Sequence, residues 1–434
     1  MNKRKVDWLM IRNVVAFWFF GLCNNYGYVI MLSAAEDIMD DQQHKPASNA
    51  TKHCFEHLDN RHCTSKSTGA VLIADNLPSL ICKLTFPFFM HRIPFGFRHI
   101  LVCALQASSY LIVAFSANVA MSLAGVAMGS LASGIGEITY LGLSSFFPSS
   151  AIAAWASGTG GAGLIGSFAF AFLTEPSMGN LSPKVALLIQ SFIPAVFLVI
   201  YYVVLSPPDE VYTPGWNPKT WIVPLDHDKK IFETQGEESE YRPQNLQRVP
   251  QRKLTFIERV VLVKPLLHLM IPVSLVYIGE YLINQGLTQM IVFNCHRGFG
   301  LTLASQYRWY QVLYQLGVFL SRSSVRLFEL PQWFLYLLPI LQFSNMFLFF
   351  FEAIYWFIPH ISIIFALIIF EGLLGGSSYV NTFNRIHKTV EPDIREYCLS
   401  IATVGDSIGV NLAGFAAIPL HNWVCGMKMP THNL

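Results

Sequence analysis

Eleven apolar stretches, near residues 12 to 35, 68 to 90, 98 to 117, 119 to 147, 150 to 174, 184 to 206, 264 to 288, 302 to 321, 333 to 357, 360 to 384 and 398 to 420, dominate this sequence. Each has roughly the ~20 residues that an α-helix needs to cross ~30 Å of hydrocarbon. Lipid offers no partner to a bare peptide group, so runs of this length form helices. The expected fold is therefore an all-α polytopic membrane protein of about eleven transmembrane helices. Composition agrees, with 53% hydrophobic and 13% charged residues and a mean hydropathy of +0.42. No segment is large and polar enough to form a separate soluble domain. A formal charge of +2 gives no electrostatic ground for a nucleic-acid partner.

Orientation follows from the loops. Lys3, Arg4, Lys5 and Arg12 precede the first apolar run, which is too long for a cleavable signal and reads as a retained span with a cytosolic amino terminus. Residues 1 to 11 are then cytosolic and the loop 36 to 67 lumenal, as is the tail from 421 to 434. Outside the long linker, Lys and Arg number eleven on the cytosolic side against seven on the lumenal side, the asymmetry expected of such a topology. Asn49-Ala-Thr51 and Asn180-Leu-Ser182 are glycosylation acceptor patterns, and both fall in lumenal loops. Residues 207 to 263, acidic first (Glu233, Glu237, Glu238, Glu240) and basic later (Arg242, Arg248, Arg252, Lys253, Arg259), read as a cytosolic linker. It separates a six-span half (12 to 206) from a five-span half (264 to 420). The eight cysteines show no metal-ligand spacing. Cys54 and Cys63 share the first lumenal loop and form the candidate disulfide.

The two halves carry a weak internal repeat of the kind two-halved transporters show. GLCNNYGY (21 to 28) in span one corresponds to GEYLINQG (279 to 286) in span seven. GIGEITYLGLSSF (134 to 146) in span four corresponds to FEGLLGGSSYVNTF (370 to 383) in span ten, and GTGGAGLIG (158 to 166) in span five to GDSIGVNLAG (405 to 414) in span eleven. Spans one, four and five thus map onto seven, ten and eleven, the order a duplicated unit requires. Glycines in spans four and five suit close helix packing.

Several spans carry groups that lipid does not tolerate. In VYIGEYLINQGLTQM (276 to 290), Tyr277, Glu280, Tyr281, Asn284 and Thr288 fall on one face at helical spacing, with Glu280 near its middle. An intramembrane carboxylate marks a pathway or site, or else pairs two helices; the sequence leaves both readings open. Span two aligns Asp75, Ser79 and Lys83 at i, i+4 and i+8, and span eight aligns Tyr307, Gln311, Tyr314 and Arg322. Span ten adds Glu371, Ser378, Asn381 and Arg385, and span eleven adds Asp406. Partner-neutralising charges within the bundle and substrate contacts fit the span-two pattern equally. The sequence has no HExxH motif, nothing in it reads as an enzyme, and no cofactor or metal is expected.

NVVAFWFFGLCNNYGYVIMLSAAEDI (13 to 38), SGTGGAG (157 to 163), GEYLINQGL (279 to 287), QYRWYQVLYQLGVFLSRSS (306 to 324) and EGLLGGSSYVNTF (371 to 383) resemble the battenin family of membrane proteins, distant relatives of the major facilitator superfamily and of equilibrative nucleoside transporters. The resemblance implies a major-facilitator-like fold and a lysosomal or vacuolar membrane protein needed for clearance of glycerophosphodiesters, and for lysosomal pH, autophagy and basic amino-acid balance. Thr431-His-Asn-Leu434 lacks the prenylation cysteine that some members carry. For a small anionic or zwitterionic glycerophosphodiester, Lys83 and Arg308 are the candidate phosphate cations, while Asn24, Asn284, Gln311 and Tyr314 suit the glycerol hydroxyls. Glu137, Glu280 and Asp406 are the candidates for proton coupling, with Glu280 also at the substrate. Alternatives are basic amino-acid or nucleoside transport, or a non-transporting scaffold whose linker recruits trafficking proteins.

The lumenal assignment of Asn49 and Asn180 predicts two glycans. Glycosidase treatment is expected to increase gel mobility, and the Asn49→Gln, Asn180→Gln double variant to abolish that shift.

Overall fold

The computed structural model describes residues 2–33, 54–56, 63, 69–88, 90–175, 178–208, 211–215, 217, 220–224, 252 and 254–427. Among them the chain is helical throughout, with no strand. Eleven helices have span length: α1 (Asn2–Ser33), α2 (Gly69–Thr85), α3 (Phe95–Ala114), α4 (Val119–Ser144), α5 (Ser150–Thr174), α6 (Pro183–Val204), α7 (Phe256–Met290), α8 (Leu303–Ser323), α9 (Gln332–Tyr355), α10 (Ile361–Thr389) and α11 (Arg395–Cys425). Ten are apolar enough to cross a membrane on composition. The exception is α8, whose 21 residues are long enough but carry Gln306, Arg308, Gln311, Gln315 and Arg322. A helix so polar is stable in a bundle only when most of its surface faces protein, and Gln306, Gln311 and Gln315 are indeed buried.

Local chemistry sets the helix ends. Asn118, Thr302 and His360 accept hydrogen bonds from the first turns of α4, α8 and α10, and Thr255 with Glu258 forms a capping box at the start of α7, satisfying donors that a helix leaves unpaired. Trp356 ends α9 in the left-handed region at φ 53°. Within α7 the α-helix stops at Leu282, and a π-turn from Ile283 to Leu287 follows, a local rewinding that changes which way later side chains face.

The halves pack as a pseudo-symmetric pair. α1 lies against α5 and α7 against α11; α2 lies against α4 and α8 against α10; and across the junction α2 meets α11 while α8 meets α5. Each of these contacts has its counterpart six helices on, as the sequence repeat anticipates. Small residues make the closest approaches: a Cβ on Gly158 would overlap the Trp18 carbonyl of α1. Where α8 crosses α10, Gly317 and Gly372 face each other, and a Cβ on either would strike the other helix's backbone.

The two ends of the bundle are chemically distinct. At one end Arg12 donates to the carbonyls of Val203 and Val204, the Val223 amide to Arg92, Arg259 to Pro87 and the Arg252 amide to Asp393. At the other, the loop after α1 is bonded covalently to the second half. Cys54 is joined to Cys295 and Cys63 to Cys425, with Cα atoms 5.2 Å and 6.0 Å apart. This corrects the expected Cys54–Cys63 bridge. The physical reason is backbone docking: the Cys295 amide donates to the Phe55 carbonyl at 2.8 Å, which seats this loop on the α7–α8 connection. Cys23, Cys82, Cys103 and Cys398 are free and buried. His421 lies 3.6 Å from Cys425 Sγ, but the paired sulfurs have no thiolate to offer a metal.

Asn180 is exposed in the α5–α6 connection at φ 48°, at the same end as the disulfides, and the hydroxyl of Ser182 caps α6. Asn49 and residues 225 to 251 of the linker lie outside the described residues.

The pairing predicts a thiol count. In denaturant without reductant, the wild type and the Cys54→Ser, Cys295→Ser variant are expected to take four maleimide labels each, matching the four free cysteines. Cys54→Ser, Cys63→Ser is expected to take six, because it orphans Cys295 and Cys425; mass spectrometry reads the number directly.

Candidate functional site

Lys83, near the end of α2, is the centre of a buried ion network where the halves meet. Its ammonium stands 2.6 Å from Glu137 of α4 and 3.6 Å from Asp406 of α11, donates to Ser407 Oγ at 2.7 Å, and is 3% exposed. Glu137 also accepts from the Tyr379 hydroxyl of α10 at 2.8 Å. The guanidinium of Arg322 lies over the Tyr379 ring, 4.3 Å from its centroid, and donates to Thr159 of α5 at 2.7 Å and to Tyr277 of α7 at 3.1 Å. Seven helices are thus joined around two cations.

These groups line one cavity of about 660 Å³, its open mouth included, together with Asn25, Tyr28, Asp75, Asn76, Ser79, Ser133, Tyr281, Tyr314 and Gln315. Tyr28 of α1 donates to the Tyr281 hydroxyl of α7 at 2.6 Å, and Tyr281 stacks on Tyr277 with ring centroids 5.8 Å apart. Contacts between the halves lie on both sides of the cavity. The ion network bridges them toward the Arg12 end; toward the disulfide end, Ser305 donates to Glu175 at 2.9 Å.

The structure sorts the residues expected from sequence. Lys83, Glu137, Asp406 and Tyr314 come together at the cavity. Glu280 is buried one layer behind it, where one oxygen accepts from the Tyr314 hydroxyl, the other lacks a hydrogen-bond partner, and Gly375 of α10 leaves room for the carboxylate. Asn284 donates to Glu371 at 2.8 Å, away from the cavity lining. The polar stripe of α7 is therefore divided: Tyr277 and Tyr281 face the cavity, while Glu280 and Asn284 face α8 and α10. Asn24 donates to the Ser133 carbonyl at 3.2 Å and lies against Gly136, leaving its neighbour Asn25 at the cavity. Gln311 is buried outside the lining.

Arg308 is the clearest correction. It does not join Lys83 but sits at the disulfide end, 3.8 Å from Glu175, because fourteen residues of α-helix separate it from Arg322 by ~21 Å along the axis. Arg322 takes the place expected of it. The signal was available, since Arg322 shares a face of α8 with Tyr314, whereas Arg308 lies nearly two turns on the other side of that tyrosine.

A family model described as CLN3 protein matches residues 15–427 of this sequence. The chain belongs to the CLN3 protein family. Battenin of the dog, Canis lupus familiaris, is 39% identical over 431 residues, spanning 96% of this chain and 92% of that protein. Protein btn-1 of Neurospora crassa is 35% identical over 452 residues, with coverage of 96% and 89%. Among solved structures, the human organic anion transporter MFSD10 superposes with a TM-score of 0.60 at 11% identity, covering 96% of this chain and 94% of that one. A bacterial homologue of the human lysosomal transporter Spinster gives 0.52 at 11% identity, covering 93% and 80%. At such identities the likeness establishes the fold, that of two-halved major facilitator transporters. In this CLN3-family chain the cavity lies between the two halves.

The ion network makes a stability prediction. Lys83→Met leaves Glu137 and Asp406 facing each other without a cation, a loss of about 3–5 kcal/mol for a broken buried pair. Adding Asp406→Asn restores the charge balance, so the double variant is expected to melt above the single one in detergent.

Proposed function

We propose that this protein is a lysosomal or vacuolar membrane transporter that exports glycerophosphodiesters by alternating access, with the cavity between its halves as the site. The observation that carries the reading is the pair of cations, buried Lys83 and half-buried Arg322, on the wall of one interfacial cavity. A phosphodiester keeps a negative charge even in an acid compartment, and Arg offers it two parallel donors in a fixed fork. Tyr28, Tyr281, Tyr314 and Asn25 supply hydroxyl and amide groups suited to a polyol. In this reading Glu137, Glu280 and Asp406 take protons from the lumen and release them to the cytosol, coupling export to the gradient.

The orientation is that of a cytosolic amino terminus and lumenal disulfides. Two covalent bridges and the exposed Asn180 share one end of the bundle, and disulfides persist in oxidising compartments. The resemblance to the battenin family supports the organelle.

Purified protein in liposomes tests the function. Labelled glycerophosphodiester is expected to cross, with Arg322→Gln at least about tenfold slower, the equivalent of ~1.4 kcal/mol of binding energy, and Arg308→Gln within about twofold of the parent, because Arg308 lies outside the cavity lining. Arginine or nucleoside flux in place of the diester would replace the proposed substrate, and absence of all flux would favour a scaffold.

A further inference from the structure

Asp75 is left out of the ion network. It is 1% exposed, lines the cavity, and neither carboxylate oxygen has a hydrogen-bond partner among the described residues. No basic side chain described lies within ion-pair distance of it. Lys83, two turns further along α2 and ~12 Å away along the helix axis, is held by Glu137 and Asp406; Arg322 is held by Thr159, Tyr277 and the face of Tyr379. The lining contains three carboxylates, Asp75, Glu137 and Asp406, against two cations, Lys83 and Arg322. With all five ionised, the cavity has one negative charge in excess, and that excess resides at Asp75.

A buried carboxylate without a partner is costly unless it holds a proton or meets a cation. The adjoining wall favours the cation. Tyr28, Tyr281 and Tyr277 form a linked aromatic surface in the same cavity, and aromatic faces beside an anion make the usual receptor for an ammonium group. We propose that Asp75 and this tyrosine wall form a subsite for a cationic head group, so that the cavity selects zwitterionic glycerophosphodiesters, whose alcohol carries a primary or quaternary ammonium, over those with a neutral polyol. The phosphate then lies toward Lys83 and Arg322 and the ammonium toward Asp75, following the polarity of α2. A zwitterion adds no net charge to a cavity that already has a negative excess; a simple anion adds to it. The inference rests on the reading that the cavity takes a glycerophosphodiester, and it adds the head group.

The test compares labelled glycerophosphocholine with glycerophosphoglycerol in proteoliposomes of the full chain. Wild-type protein is expected to carry the choline ester at least about tenfold faster, as the loss of one charge-assisted contact implies. Asp75→Asn, which keeps the shape, is expected to slow the choline ester alone and bring the two toward parity. Equal slowing of both diesters would assign Asp75 to proton movement or packing and overturn the subsite, as would a wild type with no preference. Tetramethylammonium chloride gives a check that needs no variant: it is expected to inhibit choline-ester flux more than glycerol-ester flux, and equal or absent inhibition counts against the proposal. If no diester moves at all, thermal stabilisation of the wild type by tetramethylammonium, lost in Asp75→Asn, keeps the cation subsite while discarding the diester; no stabilisation discards both.

Discussion

The grip of Glu137 and Asp406 on Lys83 is the interaction on which the junction of the two halves depends. Each of these groups pays a large desolvation cost inside a bundle, and the opposite charges beside it help to offset that cost. Because the three reside on α2, α4 and α11, the demand for compensation holds one half against the other. Tyr379 extends the network to α10 and Arg322, so the cavity wall is a connected set of charges and phenols. An arrangement that satisfies itself in this way is also one that a charged substrate or a proton can disturb, as the proposed alternating access requires.

Close packing elsewhere makes that network possible. Glycine contacts between α1 and α5, and between α8 and α10, bring backbones close, and Arg322 of α8 reaches across to Thr159 of α5. The π-turn in α7 has a comparable effect: it follows the segment where the tyrosines face the cavity, and Asn284 within it faces Glu371. The covalent bridges add a different constraint. Both join the loop after α1 to the second half, so the halves are tied at one end by sulfur and at the interior by charge.

Much of this was legible in the amino-acid order, because the relevant signals are local. Apolar length reports a span whatever it packs against, although α8, counted among the apolar stretches, is too polar to qualify on composition. The GLCNNYGY and GEYLINQG segments pointed to a repeat that the matching contacts of α1 with α5 and α7 with α11 bear out. Lys83, Glu137 and Asp406 were each identifiable as intramembrane charges. Their meeting was not, since residues 83, 137 and 406 share no periodicity.

What the sequence determined by itself is the number of spans, their division into two related halves, and the list of polar groups that lipid would reject; these follow from hydrophobic length and helical spacing within single segments. Tertiary structure alone decided that Cys54 and Cys63 take separate partners, that Arg322 and not Arg308 reaches the cavity, that Glu280 and Asn284 turn away from the tyrosines beside them, and that Asp75 has no hydrogen-bond partner among the described residues. Each of those outcomes depends on which helix lies opposite, and the cost of leaving a charge or donor unpaired in a dry interior is settled between segments far apart in the chain.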